Sequence, residues 1–389
     1  MISVNEALSI LDKNIPESKV VEIPLLEAHE HFLAQDIVSP INMPPFRQSA
    51  MDGYALNIHD SLTYKLIGEI KAGDSHIVDL NPGEAINIFT GAAVPESANA
   101  VMQIEKTSVA EGILNLTESV KLNANIRPLG EQIKKNETAL SKGTRLNAAS
   151  IGYLAGLGIT SAPVYKKSSV GILVTGNELV QPGTELEYGK IFESNSIMLQ
   201  TALLESGFKN STILRVDDDF ENTKSSIKAA LNENDILLIS GGISVGDYDY
   251  VKGALEELQV ETLFYKVNQK PGKPLFAGKI QDKLVFALPG NPAASLTCYY
   301  IYVQPILKKI AGEMHSKDQG LQKELAHEMA VNNTRSQFLK AIYVNNSVTI
   351  LTHQNSSMLN TFAVANCLVY LPEGSYQLQI DSKVDVYLT

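Results

Sequence analysis

The sequence predicts a multidomain chain in which an α/β domain is combined with separate β domains. Between residues 167 and 314, apolar runs typical of strands alternate with stretches of helical periodicity, as in a parallel sheet covered on both faces. On either side, residues 39–138 and 315–389 contain short β-like pieces separated by turn residues. The chain is also long enough, at 389 residues, for more than one domain of about 150 residues.

Charge and composition exclude several classes of protein. A net charge of −11 disfavours nucleic acid and anionic membrane surfaces as partners. Cys298 and Cys367 have no Cys or His at ligand spacing, so we expect buried free thiols in a reducing compartment. The N-terminus lacks the pattern of a signal peptide, and no apolar run approaches the ~20 residues of a membrane span. We therefore expect a cytoplasmic protein that contacts neither nucleic acid nor membrane.

The N-terminal region is predicted to be helical. Apolar residues fall on one helical face at Val4, Ala7, Leu8 and Leu11. A second helical stretch, within residues 139–166, begins after Asn and Ser residues that suit a cap and stops at Gly158. We expect residues 1–38 and 139–166 to form one helical domain, so that residues 39–138 form an inserted β domain.

The α/β domain at 167–314 contains four strand–helix pairs. The strands read SVGILVT, STILRVDD, DILLISG and KLVFALPG, and each precedes a helical stretch. Residues 315–389 contain no convincing helix and several short strands, which indicate a small β barrel or sandwich. Of these two, we predict a C-terminal β barrel.

Polar and glycine residues follow the predicted strands of the α/β domain. The carboxyl ends of parallel strands meet at one edge of the sheet, where ligands bind. A turn that carries Lys270 and Lys273 precedes a further strand. The residues that end the four strands are Glu178; Asp218; Ser240, Gly241, Gly242, Ser244, Gly246 and Asp249; and Pro289, Gly290, Asn291 and Pro292. Glycine N–H groups suit an anion, and carboxylates beside an anion suit a bridging hard cation such as Mg²⁺.

Each of these features also has a structural explanation. Gly241 and Gly242 could serve only to allow a tight turn. Lys270 and Lys273 could be surface charges. The third loop matches neither a Walker A motif nor a dinucleotide fingerprint. The convergence of these residues on one edge is what favours function.

Several segments together resemble the MoeA-type molybdopterin molybdenumtransferases, a family that includes the E domain of gephyrin. The matching segments, in order, are PPFRQSAMDGYA, IFTGAAVP, NIRPLGEQI, ILVTGNELV, SNS, SGGISVGDYDYVK, KPGKPLFAG and ALPGNPAAS. The resemblance implies an elongated homodimer with an α/β domain of the molybdopterin-binding type. It also implies transient contact with other proteins of molybdenum cofactor biosynthesis.

The resemblance implies that molybdenum from molybdate is inserted into adenylated molybdopterin, with Mg²⁺-dependent cleavage of the pyrophosphate link and release of AMP. Glu178, Asp218 and Asp249 match the acidic group that would hold the cation. Lys270, Lys273 and Arg127 would offset the charge of the anionic ligands. The residues matched in the other domains are Asp52 and Thr90, which the family presents across the dimer, and Lys340 and Ser356, which are linked to oxyanion binding.

Three positions depart from the family pattern. Gln132 replaces an acid, Asn177 replaces an Asp, and Lys340 replaces an Arg. Lysine keeps the charge of arginine but loses its two-point grip, so we expect weaker molybdate binding.

Two other functions compete with this prediction. One is adenylylation of molybdopterin, the activity of the related stand-alone α/β domain, which the additional β domains argue against. The other is a non-catalytic carrier or scaffold that only binds the pterin, which would not need Glu178, Asp218 and Asp249 together.

Overall fold

The computed structural model describes residues 1–243, 250–313 and 320–389. The chain forms two compact units. The larger unit contains Met1–Val21, Glu30–Ala34 and Pro163–Thr389, and the smaller unit contains Glu22–His29 and Gln35–Ala162.

The N-terminal helix, α1 (Val4–Lys13), is shorter than the helical region expected over residues 1–38. Ser3 begins it with a capping box, because its hydroxyl accepts a hydrogen bond from the N–H of Glu6 while the Glu6 carboxylate accepts one from the N–H of Ser3. The helix ends before Pro16, since a residue that precedes proline avoids helical backbone angles.

The packing of α1 also differs from the expectation. Its buried face, formed by Val4, Ala7 and Leu11, lies in one core with residues of the α/β domain such as Leu203. The helix within residues 139–166 was expected to pack against α1, but this helix lies in the smaller unit. The apolar face of α1 is therefore buried by the α/β sheet and its helices. The other predicted domain limits stay predictions.

The smaller unit is built mainly from short strands. Between α1 and the α/β domain the elements are β1 (Val20–Pro24), β2 (Ile37–Val38), β3 (Gln48–Ser49), β4 (Gly53–Leu56), β5 (Thr63–Ile70), β6 (Glu84–Ile88), β7 (Ala100–Gln103), β8 (Thr107–Ala110), β9 (Ile113–Leu116), β10 (Ile126–Arg127), β11 (Thr138–Leu140), α2 (Ala148–Gly156) and β12 (Ser161–Tyr165). Six of the strands form one sheet in the order β7-β4-β6-β5-β9-β8. Ala55, Ile86 and Val101 lie in its core.

Helix α2 begins and ends as its sequence predicts. Asn147 caps it by accepting a hydrogen bond from the N–H of Ser150. Gly158 follows with φ of +79°, a conformation that suits the residue just after a helix.

The α/β domain contains the predicted alternation of strands and helices. Its elements are β13 (Val170–Thr175), β14 (Leu179–Val180), β15 (Ile191–Phe192), α3 (Asn195–Glu205), β16 (Ser211–Val216), α4 (Phe220–Glu233), β17 (Ile236–Ser240), α5 (Tyr250–Glu257), β18 (Glu261–Tyr265), β19 (Gln269–Lys270), β20 (Phe276–Ile280), β21 (Lys283–Leu288), α6 (Pro292–Cys298) and α7 (Gln304–Ile310). A wide π turn at Tyr299–Val303 joins α6 to α7.

The main sheet of this domain is mixed rather than purely parallel. Its order is β16-β13-β17-β21-β20-β18. The first four strands are parallel, and β20 and β18 add an antiparallel edge that the sequence did not predict. Such an edge is common on parallel sheets. The half-exposed β18 lacks the continuous apolar run by which the buried strands were found.

Both faces of the sheet are buried, as predicted. In the parallel pair β13–β17, Ile172 lies opposite Leu238 and Leu173 lies opposite Ile239. The first pair belongs to the core shared with α1, and the second belongs to the core beneath α4 and α5. Successive residues of a strand point to opposite faces, so these runs are apolar throughout.

The C-terminal residues form a closed β barrel, which confirms the predicted barrel over the sandwich. The elements are β22 (Leu321–Leu325), β23 (Met329–Asn333), β24 (Ser336–Val344), β25 (Ser347–Ile350), α8 (Leu359–Phe362), β26 (Cys367–Leu371), β27 (Gly374–Leu378) and β28 (Lys383–Leu388). The pairing runs from β24 through β25, β22, β28 and β26 back to β24. The short helix α8 is an addition to the prediction.

No helix within the described ranges is long and apolar enough to cross a membrane.

Asp235 links the beginnings of two central strands. Its carboxylate accepts hydrogen bonds from the N–H and the hydroxyl of Ser169, both at 3.0 Å, and from the ammonium of Lys166 at 3.3 Å. Partial burial acts to raise the pKa of Asp235, but the bonds from Ser169 and Lys166 outweigh it and lower this pKa below its ordinary value of 3.8.

We predict that Asp235→Ala lowers the free energy of unfolding by about 1–3 kcal/mol at pH 7, because the donors of Ser169 lose their acceptor. A carboxyl with a lowered pKa in the folded state stabilises above its ordinary pKa, and this contribution is lost as pH falls through the lower folded value. Urea unfolding followed by circular dichroism at several pH values measures both effects. Asp217→Ala, at an exposed position, is the control. Equal losses in the two variants would contradict this role.

Candidate functional site

The carboxyl ends of the parallel strands line a cavity of about 480 Å³, called the first cavity below. Residues after β13, β16, β17 and β21 all contribute to it, at the edge where the sequence predicted a site. The predicted site residues among its walls are Glu178, Asp218, Ser240, Gly241, Gly242, Pro289, Gly290, Asn291 and Pro292.

Asp218 is held in place by hydrogen bonds on both carboxylate oxygens. One oxygen accepts from the Thr175 hydroxyl at 3.0 Å, and the other accepts from the N–H of Asn177 at 3.2 Å. The side-chain oxygen of Asn177 in turn accepts from the N–H of Asp218 at 3.1 Å. Asn177, which departs from the family pattern, therefore joins the loops after β13 and β16.

Glu178 lies on the same cavity with a free carboxylate. It is exposed and makes no side-chain hydrogen bond or ion pair with any residue that the structure describes. Together with Asp218 it offers only oxygen ligands, the type that Mg²⁺ prefers, so these residues fit such an ion. Within the described ranges, no group of three or more His, Cys, Asp or Glu side chains is arranged to hold a metal.

The close approach of two loops requires glycine at position 241. Its φ is +95°, and a Cβ there would lie 2.5 Å from the carbonyl oxygen of Thr175. Gly241 therefore has the structural role that the sequence suggested, since it allows a backbone conformation that other residues rarely adopt. This role does not exclude a ligand, because the same loop lines the first cavity.

Asn195, at the first position of α3, connects two loops of the first cavity. Its side-chain amide donates hydrogen bonds to the Ser240 hydroxyl and to the Gly290 carbonyl, both at 2.8 Å. The carbonyl can only accept, so the amide nitrogen must face it. The amide oxygen of Asn195 is buried and has no hydrogen-bond partner. Asn195 is thus a buried clamp between the ends of β17 and β21.

A second cavity, of about 450 Å³, shares Pro274, Pro289 and Asn291 with the first. Three cationic side chains line it: Lys270, Lys273 and Arg335. No Asp or Glu is among its described lining residues, and none of the three cations forms an ion pair with a described residue. This cavity is therefore positive and suits an anion.

Two barrel residues predicted to bind an oxyanion are placed differently from each other. Ser356 lines the second cavity and accepts a hydrogen bond from the side-chain amide of Asn291 at 3.1 Å. Lys340 does not line that cavity and is only 4% exposed. The ammonium of Lys340 donates instead to backbone carbonyl oxygens.

Three predicted residues belong to the smaller unit. Asp52 is exposed, and one carboxylate oxygen accepts from the N–H and the hydroxyl of Thr90 at 2.7 and 2.6 Å. These two bonds lower the pKa of Asp52 below its ordinary value. Arg127 is exposed and lies opposite Gln48 in the β3–β10 pair. Asp52 and Thr90 thus form one polar cluster.

Three other predicted residues, Ser244, Gly246 and Asp249, lie outside the described residues.

Comparison with known proteins decides the family. Three family profiles match consecutive parts of the chain: "MoeA N-terminal region (domain I and II)" over residues 2–158, "Probable molybdopterin binding domain" over 171–309, and "MoeA C-terminal region (domain IV)" over 322–389. The chain belongs to the MoeA family.

Full-length relatives agree with the assignment to the MoeA family. A protein of Staphylococcus epidermidis named molybdopterin molybdenumtransferase is 33% identical over 100% of this chain and 96% of its own length. A Haemophilus influenzae protein of the same name is 33% identical over 96% and 95%. The chain is therefore an enzyme of this transferase family, as its motifs predicted.

Solved MoeA structures share the fold. The molybdopterin biosynthesis MoeA protein of Pyrococcus horikoshii is 30% identical, with a TM-score of 0.81 over the full length of both chains. A molybdenum cofactor biosynthesis protein of Pyrococcus furiosus is 21% identical with a TM-score of 0.61, and this shows the fold alone.

Two residues that line the cavities, Asn195 in the first and Arg335 in the second, were not predicted from the sequence. Asn195 lies in the SNS segment, whose match to the family gave it no role. Arg335 has no sequence signal, because it lies in the short connection between β23 and β24 and the other cations of its cavity come from residues 270–273. Residues that are distant in the sequence meet around a cavity only in the folded chain, so local sequence patterns do not identify them.

We predict that Asn195→Asp lowers the free energy of unfolding by about 2–4 kcal/mol, since both donors are lost and a buried carboxylate then faces the Gly290 carbonyl. Asn177→Asp is the matched control, because only the side-chain oxygen of Asn177 is used and an Asp retains it. Urea unfolding at pH 7 compares the two variants. Equal stability of Asn195→Asp and wild type would refute the clamp.

Proposed function

We propose that this MoeA-family enzyme inserts molybdenum from molybdate into adenylated molybdopterin and releases AMP. The observation that carries the proposal is the pairing of two adjoining cavities of different chemistry. The first offers glycine loops and the carboxylates of Glu178 and Asp218, and the second offers three cations without an acidic residue among its described walls. Two substrates that are both anions need such separate positions.

The first cavity suits the pyrophosphate of the nucleotide. Gly241 and Gly242 leave the backbone of the loop after β17 unshielded by side chains, as phosphate loops require. The volume of about 480 Å³ is typical of small-molecule sites. Asn195 links the start of that loop, at Ser240, to Gly290 on the neighbouring wall of the cavity.

A divalent cation would bind at Glu178 and Asp218, with Asp249 as the third family position. The bound ion, which we propose to be Mg²⁺, would neutralise phosphate charge. Asp218 is already oriented by Thr175 and Asn177, so little reorganisation is needed on binding. The free carboxylate of Glu178, which lines the same cavity, would also orient the attacking oxygen of water or molybdate.

The second cavity suits molybdate, a compact dianion. Like charges about 4 Å apart in a protein of effective dielectric near 20 repel by roughly 4 kcal/mol. Lys270, Lys273 and Arg335 lack acidic partners among the described residues, so bound molybdate would relieve their mutual repulsion. Because the two cavities share Pro289 and Asn291, molybdate bound in the second would lie beside the first. There an oxygen of water or molybdate would attack the phosphorus attached to molybdopterin, so that the bond from this phosphorus to the AMP oxygen breaks and AMP leaves.

The experiment that tests the function mixes the full chain with adenylated molybdopterin, molybdate and Mg²⁺ and measures AMP by chromatography. Release of AMP that depends on both molybdate and Mg²⁺ is expected. Binding of the pterin without AMP release would identify a carrier instead, and formation of adenylated molybdopterin from ATP would identify an adenylyltransferase.

We predict that Glu178→Gln slows AMP release by about a hundredfold while the affinity for the pterin nucleotide changes far less. The amide keeps the size of the side chain but removes the charge that would hold the cation. Asp249→Asn should behave in the same way. Glu185→Gln, an exposed position outside the cavity lining, is the control. Equal losses of affinity and rate in Glu178→Gln would argue against a catalytic role.

The homodimer, the cytoplasmic location and the transient contact with other cofactor-biosynthesis proteins are also proposals from family membership. Sedimentation equilibrium of the purified chain tests the first of these.

A further inference from the structure

The guanidinium of Arg47 binds the backbone of a loop in its own unit. One terminal nitrogen donates to the carbonyl oxygens of Pro95 and Glu96, both at 3.2 Å, and the other donates to that of Ala98 at 2.8 Å. A carboxylate oxygen of Glu96 also lies 3.8 Å from the guanidinium, but this side chain is 90% exposed and the ion pair contributes little. Arg47 therefore holds mainly the carbonyl groups of residues 90–98, called the Thr90 loop below.

The backbone at Arg47 is paired with the same loop. The N–H of Val94 donates to the Arg47 carbonyl at 2.9 Å. The N–H of Gly91 donates to the Ser49 carbonyl, also at 2.9 Å, and the side-chain amide of Gln48 donates to the Gly91 carbonyl at 3.0 Å. The segment that carries Arg47 and the Thr90 loop are therefore joined along an antiparallel bridge.

Asp52 and Thr90 connect these two segments at their other end. The N–H and the hydroxyl of Thr90 both donate to one oxygen of the Asp52 carboxylate, at 2.7 and 2.6 Å. The second oxygen accepts no hydrogen bond from a described residue, and Asp52 is exposed. The two bonds from Thr90 lower the pKa of Asp52, and no charged side chain of the described residues contributes to this shift. The pKa of Asp52 therefore depends on where the Thr90 donors lie.

Apolar packing keeps the Thr90 loop folded but does not orient it. Ala92, Val94 and Ala98 lie in the core of the smaller unit. Hydrophobic burial is not directional, so it attaches the loop without fixing the direction of the Thr90 N–H and hydroxyl. The directional contacts are the hydrogen bonds of Arg47, of Gln48 and of the paired backbone.

Arginine suits this position because its fork reaches several acceptors at once. The two terminal nitrogens of Arg47 contact carbonyls at both ends of residues 95–98. A lysine would keep the positive charge, but its single ammonium on a flexible stem does not reproduce the planar fork. The effects of charge and of geometry can therefore be separated by one substitution.

We propose that Arg47 is a positioning residue of the reaction: by holding the Thr90 loop, it fixes the hydrogen bonds that orient Asp52. Gln48 supports the same loop closer to Thr90, at Gly91. The inference rests on the proposed function, because Asp52 and Thr90 are matched to site residues of the family. The expected defect of an Arg47 variant is thus a loss of orientation and not of charge.

The first measurement is the pKa of Asp52 in the full chain, followed by NMR with isotope-labelled aspartate and assigned with Asp52→Asn. Arg47→Lys should raise this pKa toward its ordinary value of 3.8, because the Thr90 donors are no longer held in place. Arg47→Gln should raise it to the same extent, since both variants lack the fork. The amide of Thr90 should exchange its hydrogen faster in both. Lys121→Gln, which removes an exposed cation of the same unit, is the control and should change neither property.

The second measurement is AMP release with adenylated molybdopterin, molybdate and Mg²⁺. Arg47→Lys should lower kcat about tenfold while KM for the pterin nucleotide changes little, because a small displacement of a group in the site is costly. Asp52 keeps its proton up to a higher pH in this variant, so the acid side of the pH profile should move to higher pH. Gln48→Leu removes the bond to the Gly91 carbonyl without a change of charge and should show the same pattern. It replaces Arg47→Lys if that variant does not fold.

Two results would overturn the assignment. A raised pKa of Asp52 in Arg47→Gln but not in Arg47→Lys would show that charge, and not the fork, acts on this carboxylate. A raised pKa with unchanged kcat in Arg47→Lys would show that the contact does not serve the reaction. Absence of AMP release from the wild type would overturn the proposed function instead, and the pKa of Asp52 and the exchange of the Thr90 amide would still decide whether Arg47 orients this pair.

Discussion

The separation of opposite charges into two adjoining cavities is the constraint on which the larger unit depends. In a chain of net charge −11, three cations line one cavity without a described acidic residue, while Glu178 and Asp218 line the next. Salt bridges between the two sets would neutralise both cavities. Hydrogen bonds from Thr175 and Asn177 occupy Asp218, and Pro274 and Pro289 form the wall that the cavities share.

Three separate elements keep this arrangement rigid. A glycine at position 241 lets the loop after β17 pass close to the end of β13. Asn195 joins that loop to the one after β21 from the buried start of α3. On the barrel side, Lys340 holds the loop that carries Ser356. Asn195 and Lys340 act through hydrogen bonds in partly or fully buried surroundings, where an unpaired polar group is costly.

Much of the fold and part of the site could be predicted from local patterns. Long apolar runs such as DILLISG identified the parallel strands, and their carboxyl ends located Glu178, Asp218 and Gly241 at one edge. Strand β18, the antiparallel direction of β20 and the packing of α1 were missed, because half-exposed strands, strand directions and helix partners depend on distant neighbours. For the same reason the sequence showed a cation at 340 but not that its donors face the carbonyls of its own loop.

The pairing of β19 with β24 has a mechanical consequence. Lys270 lies on β19, a short strand of the α/β domain. It pairs with Gln337 on β24, which is part of the barrel wall. Any hinge motion that moved the barrel away would break this ladder and release the lysine turn at once. The barrel therefore cannot move away from the lysine turn without breaking main-chain hydrogen bonds, and the position of Lys270 is coupled to that of the barrel wall.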